Sequence, residues 1–130
     1  MRKIWNTILK GLVALLPLAA ITEDFERTLR DLARTLGKEI DFKVSGKEVE
    51  LDRNVLDLIK PMLLHVLNNA VDHGIEAPQE RLQQGKASVG TITLKAQYEG
   101  SFVQILIGDD GQGIAAELAV ANRRLATAAL

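Results

Sequence analysis

The polar residues His65, Asn69, Asp72, His73 and Glu76 recur at helical spacing in a segment that is otherwise apolar. At about 100° per residue they share one face of a single helix. Leu56, Ile59, Leu63, Val66, Leu67 and Ala70 fall roughly on the opposite side. A solvated helix face is ordinarily rich in Lys, Glu and Arg, whereas this one carries Asn, Asp and both histidines of the chain. An Asn side chain offers a carbonyl oxygen to a divalent cation and an amide to a phosphate. Magnesium favours such oxygen ligands together with substrate phosphates.

A second segment, Asp109-Asp110-Gly111-Gln112-Gly113, follows the apolar run Ile105-Leu106-Ile107. Gly111 and Gly113 permit the close approach of a ligand and backbone angles closed to other residues. A carboxylate held beside them can accept a hydrogen bond from an exocyclic amine. Taken alone, such a segment is equally a tight turn, for which Asp and Gly are the usual residues. Together the two segments predict a nucleotide pocket built from one helix and one strand-end loop.

The elements that must position these groups follow from periodicity and punctuation. Residues 2–16 read as a helix that Pro17 ends or kinks. Thr22 is the expected N-cap of a second helix reaching Leu36, with Glu23 and Asp24 suited to its positive end and Gly37 as C-cap. Residues 40–44 and 49–51 alternate around Ser45-Gly46-Lys47 and predict a β-hairpin. Asp52 is placed to cap a long helix from about Arg53 to His73, which Gly74 stops. A polar loop over 75–90 carries a short helix around Glu80–Gln84. Residues 91–98 and 102–107 predict a second hairpin, and residues 115–128 a final helix. Helices segregated from hairpins imply an α+β fold: a two-layer sandwich with helices on one face of a mixed, mostly antiparallel sheet.

The 130 residues suffice for one domain with one core. Lys plus Arg number 16 against 17 for Asp plus Glu, a balance that gives no reason to expect nucleic acid or an anionic membrane as partner. With no cysteine, disulfides, thiolate zinc sites and thiol nucleophiles are excluded, and a cytoplasmic setting fits. Residues 4–21 are apolar, but Asn6 and Lys10 interrupt them, Pro17 breaks them, and Leu12–Ile21 is too short to span a bilayer. Residues 1–20 therefore read as a packing or dimerising helix rather than a membrane anchor.

The two segments resemble the N box and the first glycine box of the ATP-binding domain of histidine kinases, the GHKL or Bergerat fold. The pattern His65-X-X-Asn-Asn-Ala-Val-Asp-His-Gly-Ile-Glu resembles most the chemotaxis-type, CheA-like class. Pro78, Arg81, Gly85-Lys86 and Gly90 resemble that class's following loop. Arg30-Asp31-Leu32-Ala33-Arg34 through Gly37-Lys38 resembles its first helix. The resemblance spans roughly residues 20–114 and makes 21–130 the ATP-binding domain. It implies ATP or ADP with magnesium as ligands. Asn69 would hold the magnesium, His65 would serve the transfer chemistry, and His73 would sit near the phosphates. Asp72 would line the pocket, Asp109 would read the adenine amino group, and Gly111 and Gly113 would shape the floor. It further implies a phosphoacceptor histidine domain and a response regulator as partners, in trans or in a parent protein. His65 and His73 would not themselves accept phosphate.

The chain departs from that pattern in places. Asn68 stands where the family often has Arg before the N-box Asn, which removes a phosphate-facing charge. Ala115-Ala116-Glu117-Leu118 and Arg123-Arg124 follow the glycine box in place of the usual acidic and then basic residues. The family's lid and second glycine box would lie past Leu130, so weak nucleotide binding and little phosphotransfer are expected of this chain alone. Two alternatives stand beside this reading. One is a non-catalytic module that associates through Trp5, Ile8, Leu9, Leu12 and Leu16, for instance as a homodimer. The other is a different member of the same superfamily, such as an anti-sigma-factor kinase.

Overall fold

The structure is a computed structural model that describes residues 14–111, 113–121 and 124–129. Its organising element is a helix, α2 (Arg53–Asn69), which starts where the sequence places it. The Asp52 carboxylate accepts a hydrogen bond from the Asn54 N–H at 2.7 Å, satisfying one of the first-turn donors that an α-helix leaves open. The helix passes through Pro61 and ends in a π-helical turn, Ala70–Gly74. There the Ile75 N–H bonds the carbonyl of Ala70, five residues back, before the chain extends.

Helix α1 (Ala19–Thr35) packs beside α2. It begins ahead of the expected Thr22 cap, because the Leu18 and Ala19 N–H groups are taken by the Val49 and Lys47 carbonyls at 2.8 and 3.0 Å. Thr22 is buried inside the helix instead. Gly37 ends α1 as expected. The Lys38 N–H reaches the Ala33 carbonyl and the Gly37 N–H the Arg34 carbonyl, the paired bonds of a Schellman cap. A short third helix, α3 (Pro78–Gln83), lies in the polar loop.

Among the described residues there are seven strands: β1 (Leu15–Pro17), β2 (Ile40–Ser45), β3 (Glu50–Asp52), β4 (Gly90–Glu99), β5 (Phe102–Asp109), β6 (Gly113–Ala121) and β7 (Arg124–Ala129). One sheet has the order β2-β4-β5-β6-β7, with β2–β4 parallel and the other pairs antiparallel. Ile92, Leu94 and Ala96 of β4 and Val103, Ile105 and Ile107 of β5 are buried in one core with Phe25, Leu29, Ile59, Leu63 and Leu67 of the helices. Intervening Thr93, Lys95 and Gln97 face away. This is the expected α+β arrangement, with helices on one face of a mixed, mostly antiparallel sheet.

Three expectations for individual elements fail. Residues 40–44 and 49–51 do not pair with each other. β2 lies parallel along β4, and β3 forms a separate two-stranded antiparallel sheet with β1. Alternation fixes which face of a strand is buried but not which strand it pairs with. Residues 113–121 and 124–129 form two strands rather than parts of a helix over 115–128. The stretch is rich in Ala, a strong helix former. Pairing along β5, with Ile105 opposite Leu118 and Val103 opposite Val120, prevails and buries Ala116, Leu118 and Val120 while Glu117 stays exposed. Finally, Leu15–Pro17 is a strand and α1 begins at Ala19, so residues 14–20 are not the end of an N-terminal helix. The rest of that expectation, including the apolar association stripe Trp5 to Leu12, lies outside the described residues. No helix among the described residues is long and apolar enough to cross a membrane.

Candidate functional site

The C-terminal end of α2 and the turn after β5 meet directly. At Gly111 an added Cβ would run into the Gly74 carbonyl oxygen, so the two backbones touch where any side chain would part them. At Gly74 an added Cβ would lie 2.7 Å from Asp109 Oδ2. The Asp109 carboxylate is oriented within its own turn, because Oδ1 accepts the Gly111 N–H at 2.8 Å. Gly113 opens β6 and pairs across from Asp109. Gln112 lies outside the described residues.

Asn69 is exposed on the last turn of α2. Its Nδ2 lies 3.3 Å from His65 Nε2, one turn earlier. If that contact is an N–H···N bond, the ring accepts at Nε2 and carries its proton on Nδ1. The amide nitrogen is then engaged and the amide oxygen is the atom available as a ligand. Asp72 and His73 sit on the π turn, with His73 Nε2 3.3 Å from Asp72 Oδ2 and both side chains solvent-facing. Lys38, at the end of α1, donates to the carbonyls of Val71 and Asp72 at 2.8 and 2.6 Å. A cation there complements the negative end of the helix and holds the turn in place. Asn68 is turned inward, with its Oδ1 buried and without a hydrogen-bond partner among the described residues.

Glu76 departs from the expected stripe. It follows the π turn on extended chain, and its carboxylate bonds Arg81 Nη1 at 3.0 Å and Lys86 Nζ at 2.6 Å. Its pKa is lowered to about 2, first by the Lys86 hydrogen bond, then by its own backbone N–H, with Arg81 adding and burial opposing. Asp110 bonds the same arginine, at Nη2, over 3.0 Å. Sequence reasoning gave Arg81 and Asp110 no role of their own. The doubled acid Asp109-Asp110 was the available signal, since two adjacent carboxylates at one strand end point in different directions.

Among the described residues, no three or more His, Cys, Asp or Glu side chains cluster tightly enough to hold a metal ion by themselves. The magnesium expected at Asn69 would therefore have to take most of its ligands from substrate oxygens and water, as that ion commonly does. A groove of about 380 Å³ lined by Arg30, Ala33, Arg34, Lys38, Glu39, Ile40 and Val89 holds none of the predicted site residues. Its cations are engaged nearby, Arg30 with Glu26 at 2.6 Å and Lys38 with the helix-end carbonyls.

No family model matches the chain. Over 100 residues it is 51% identical to chemotaxis protein CheA of Halobacterium salinarum, a match covering 77% of this chain and 15% of that protein. It is 43% identical over 100 residues to chemotaxis protein CheA of Bacillus subtilis, with the same shares. The chain thus spans about one seventh of the length of these relatives. The histidine kinase domain of a blue-light-activated kinase from Erythrobacter litoralis superposes with a TM-score of 0.50 at 19% identity, over 74% of this chain and 40% of that one. Such low identity speaks for the fold alone, and the fold agrees with the sequence relatives. The chain is thus homologous to one segment of CheA chemotaxis proteins and shares the fold of a histidine kinase domain.

Proposed function

We propose that this chain binds Mg-ADP or Mg-ATP and serves as the nucleotide-binding part of a chemotaxis-type histidine kinase. The single observation that carries this reading is the contact of Gly111 with Gly74. It sets the strand-end carboxylate of Asp109 against the end of the helix whose last turn bears Asn69. One end of the ledge suits an amine and the other suits phosphate with its cation.

In this reading Asp109 accepts a hydrogen bond from the adenine exocyclic amine, with its carboxylate fixed by the Gly111 N–H. Gly111 and Gly113 let the base approach the backbone. Asn69 presents its amide oxygen to magnesium, His65 orients that amide and stands nearest the transfer chemistry, and Asp72 and His73 border the phosphates. Magnesium, when bound, spreads and neutralises phosphate charge, most of what phosphoryl transfer needs beyond positioning. The phosphate would pass to a histidine of another domain or subunit, and from there to a response regulator.

Calorimetric titration of ADP with and without magnesium tests this. Saturable binding is expected, weakened about 10- to 100-fold by Asp109→Asn, as for a lost hydrogen bond to a charged group. Asn69→Ala should remove the magnesium dependence and leave the base contribution in place. Absence of binding up to millimolar nucleotide, or an unchanged affinity in both variants, would sink the assignment.

A further inference from the structure

Arg81 is the largest fully buried side chain among the described residues, with 1% of its surface exposed. A guanidinium withdrawn from water is strongly unfavourable unless its donors are matched. Here they are. Nε donates to the Ala87 carbonyl at 2.7 Å, Nη1 to Glu76 Oε1 at 3.0 Å, and Nη2 to Asp110 Oδ2 at 3.0 Å, with a long contact from Nη2 to the Val89 carbonyl at 3.5 Å. Each carboxylate is also held from its other oxygen: Glu76 by Lys86 Nζ at 2.6 Å, Asp110 by the Thr91 N–H at 3.0 Å.

The placement of these partners is informative. Glu76 lies two residues past Gly74, at the end of the helix that bears Asn69. Asp110 immediately follows Asp109. One planar fork thus ties the helix end to the strand-end turn, on the residues adjoining the Gly74–Gly111 contact. We propose that Arg81 is a positioning residue for nucleotide recognition, fixing the strand-end turn through Asp110 so that Asp109 is held for an exocyclic amine. This rests on the nucleotide reading above. An arginine is required because the three nitrogens of one planar fork reach two carboxylates and a carbonyl from different segments, which the compact point charge of a lysine ammonium cannot do.

The readout is base selectivity, which a merely structural brace would not move. Inosine diphosphate carries an oxygen where ADP carries the exocyclic amine. Full-length chain is titrated with ADP and with inosine diphosphate, in wild type, Asp109→Asn, Arg81→Lys and Asp110→Asn. Wild type should prefer ADP, and Asp109→Asn should abolish the preference. Arg81→Lys and Asp110→Asn should each lower the ADP-to-inosine-diphosphate ratio by about tenfold, the loss expected when a charge-assisted contact is misaligned. The magnesium dependence of binding should remain. Should Arg81→Lys fail to fold, Asp110→Asn decides, because its side chain is 43% exposed and its Oδ1 can still accept the Thr91 N–H. If Asp109→Asn removes the preference while Asp110→Asn and any folded Arg81→Lys keep the wild-type ratio, the positioning role is refuted and the nucleotide reading stands. If Asp109→Asn leaves the ratio untouched, the nucleotide reading falls and takes this proposal with it.

Discussion

Gly111→Ala is the most direct probe of the contact on which the site depends. The new Cβ would meet the Gly74 carbonyl oxygen, and would lie 3.0 Å from its carbonyl carbon and 3.1 Å from Asp109 Oδ1. Two of these obstacles are backbone, so no rotamer change relieves them. The strand-end turn and the helix end would have to separate by roughly an ångström to restore van der Waals contact. Overpacking of this kind costs about 1–3 kcal/mol, and a backbone obstacle belongs at the upper end. Alanine's lower freedom in the unfolded chain offsets about 0.4–1 kcal/mol. Gly111 is not among the glycines with positive φ, so no left-handed strain adds to the sum. The net expectation is a loss of about 2 kcal/mol, or roughly 6–10 °C in Tm for a chain of this length. Gly74→Ala supplies the contrast, because its obstacle is the movable Asp109 carboxylate. It should cost under about 1 kcal/mol of stability yet weaken nucleotide binding as Asp109→Asn does. Urea unfolding followed by circular dichroism measures the first quantity and calorimetry the second, with equal m-values confirming comparable transitions. A Gly111→Ala protein within about 0.5 kcal/mol of wild type would refute the reasoning, since the two segments could not then be in contact.

Asp52→Ala should lower stability by about 1–2 kcal/mol, because the Asn54 N–H loses its acceptor at a nearly buried helix start; Asp52→Asn, which retains an acceptor oxygen, should recover most of the loss in the same melt. Glu76 carries a pH signature. Its folded pKa of about 2 lies below the ordinary 4.5, so its contribution is present above about 4.5 and is lost as pH falls toward 2. Glu76→Gln should therefore be less stable than wild type at neutral pH, and the difference in Tm should shrink on acidification through that window; a difference that stays constant would mean the ion pair with Lys86 is not formed.

Legibility in the sequence followed the range of the interactions. The start of α2 was readable because Asp52 and the apolar spacing after it act within a few residues. The Gly37 cap was readable for the same reason. β4 and β5 were readable because a short turn joins them and their alternation is strict. β2 and β3 were misassigned to one hairpin because their true partners, β4 and β1, are distant in sequence, and the pattern of a strand says nothing about its neighbour. The Ala-rich stretch after Gly113 was misread because local propensity was the only local signal, while the deciding term was the open edge of β5. At the site, the meeting of the Asn69 helix with the Asp109 turn was anticipated from residue types. The Arg81 brace was not, because Arg is ordinarily exposed and its burial follows from two acids reaching it from different segments.

The π-helical turn is where local pattern and site chemistry separate. Regular α-helical spacing would keep Glu76 on the face of His65 and Asn69. The bond from the Ile75 N–H to the Ala70 carbonyl places an additional residue in that turn and shifts every later position around the axis. Lys38 stabilises this geometry by bonding the Val71 and Asp72 carbonyls, which a regular continuation would have offered to the next turn. Displaced from the stripe, Glu76 reaches Arg81 and Lys86 instead. The acids at the junction thereby divide in function. Glu76 and Asp110 neutralise one buried guanidinium and hold the two halves together, whereas Asp109, oriented by the Gly111 N–H, is the acid placed at the turn itself. A straight helix would have kept the Glu76 carboxylate on the face of Asn69, where like charge would oppose the phosphates of the proposed nucleotide. The irregular turn thus takes the Glu76 carboxylate off the Asn69 face and sets it to brace the junction through Arg81.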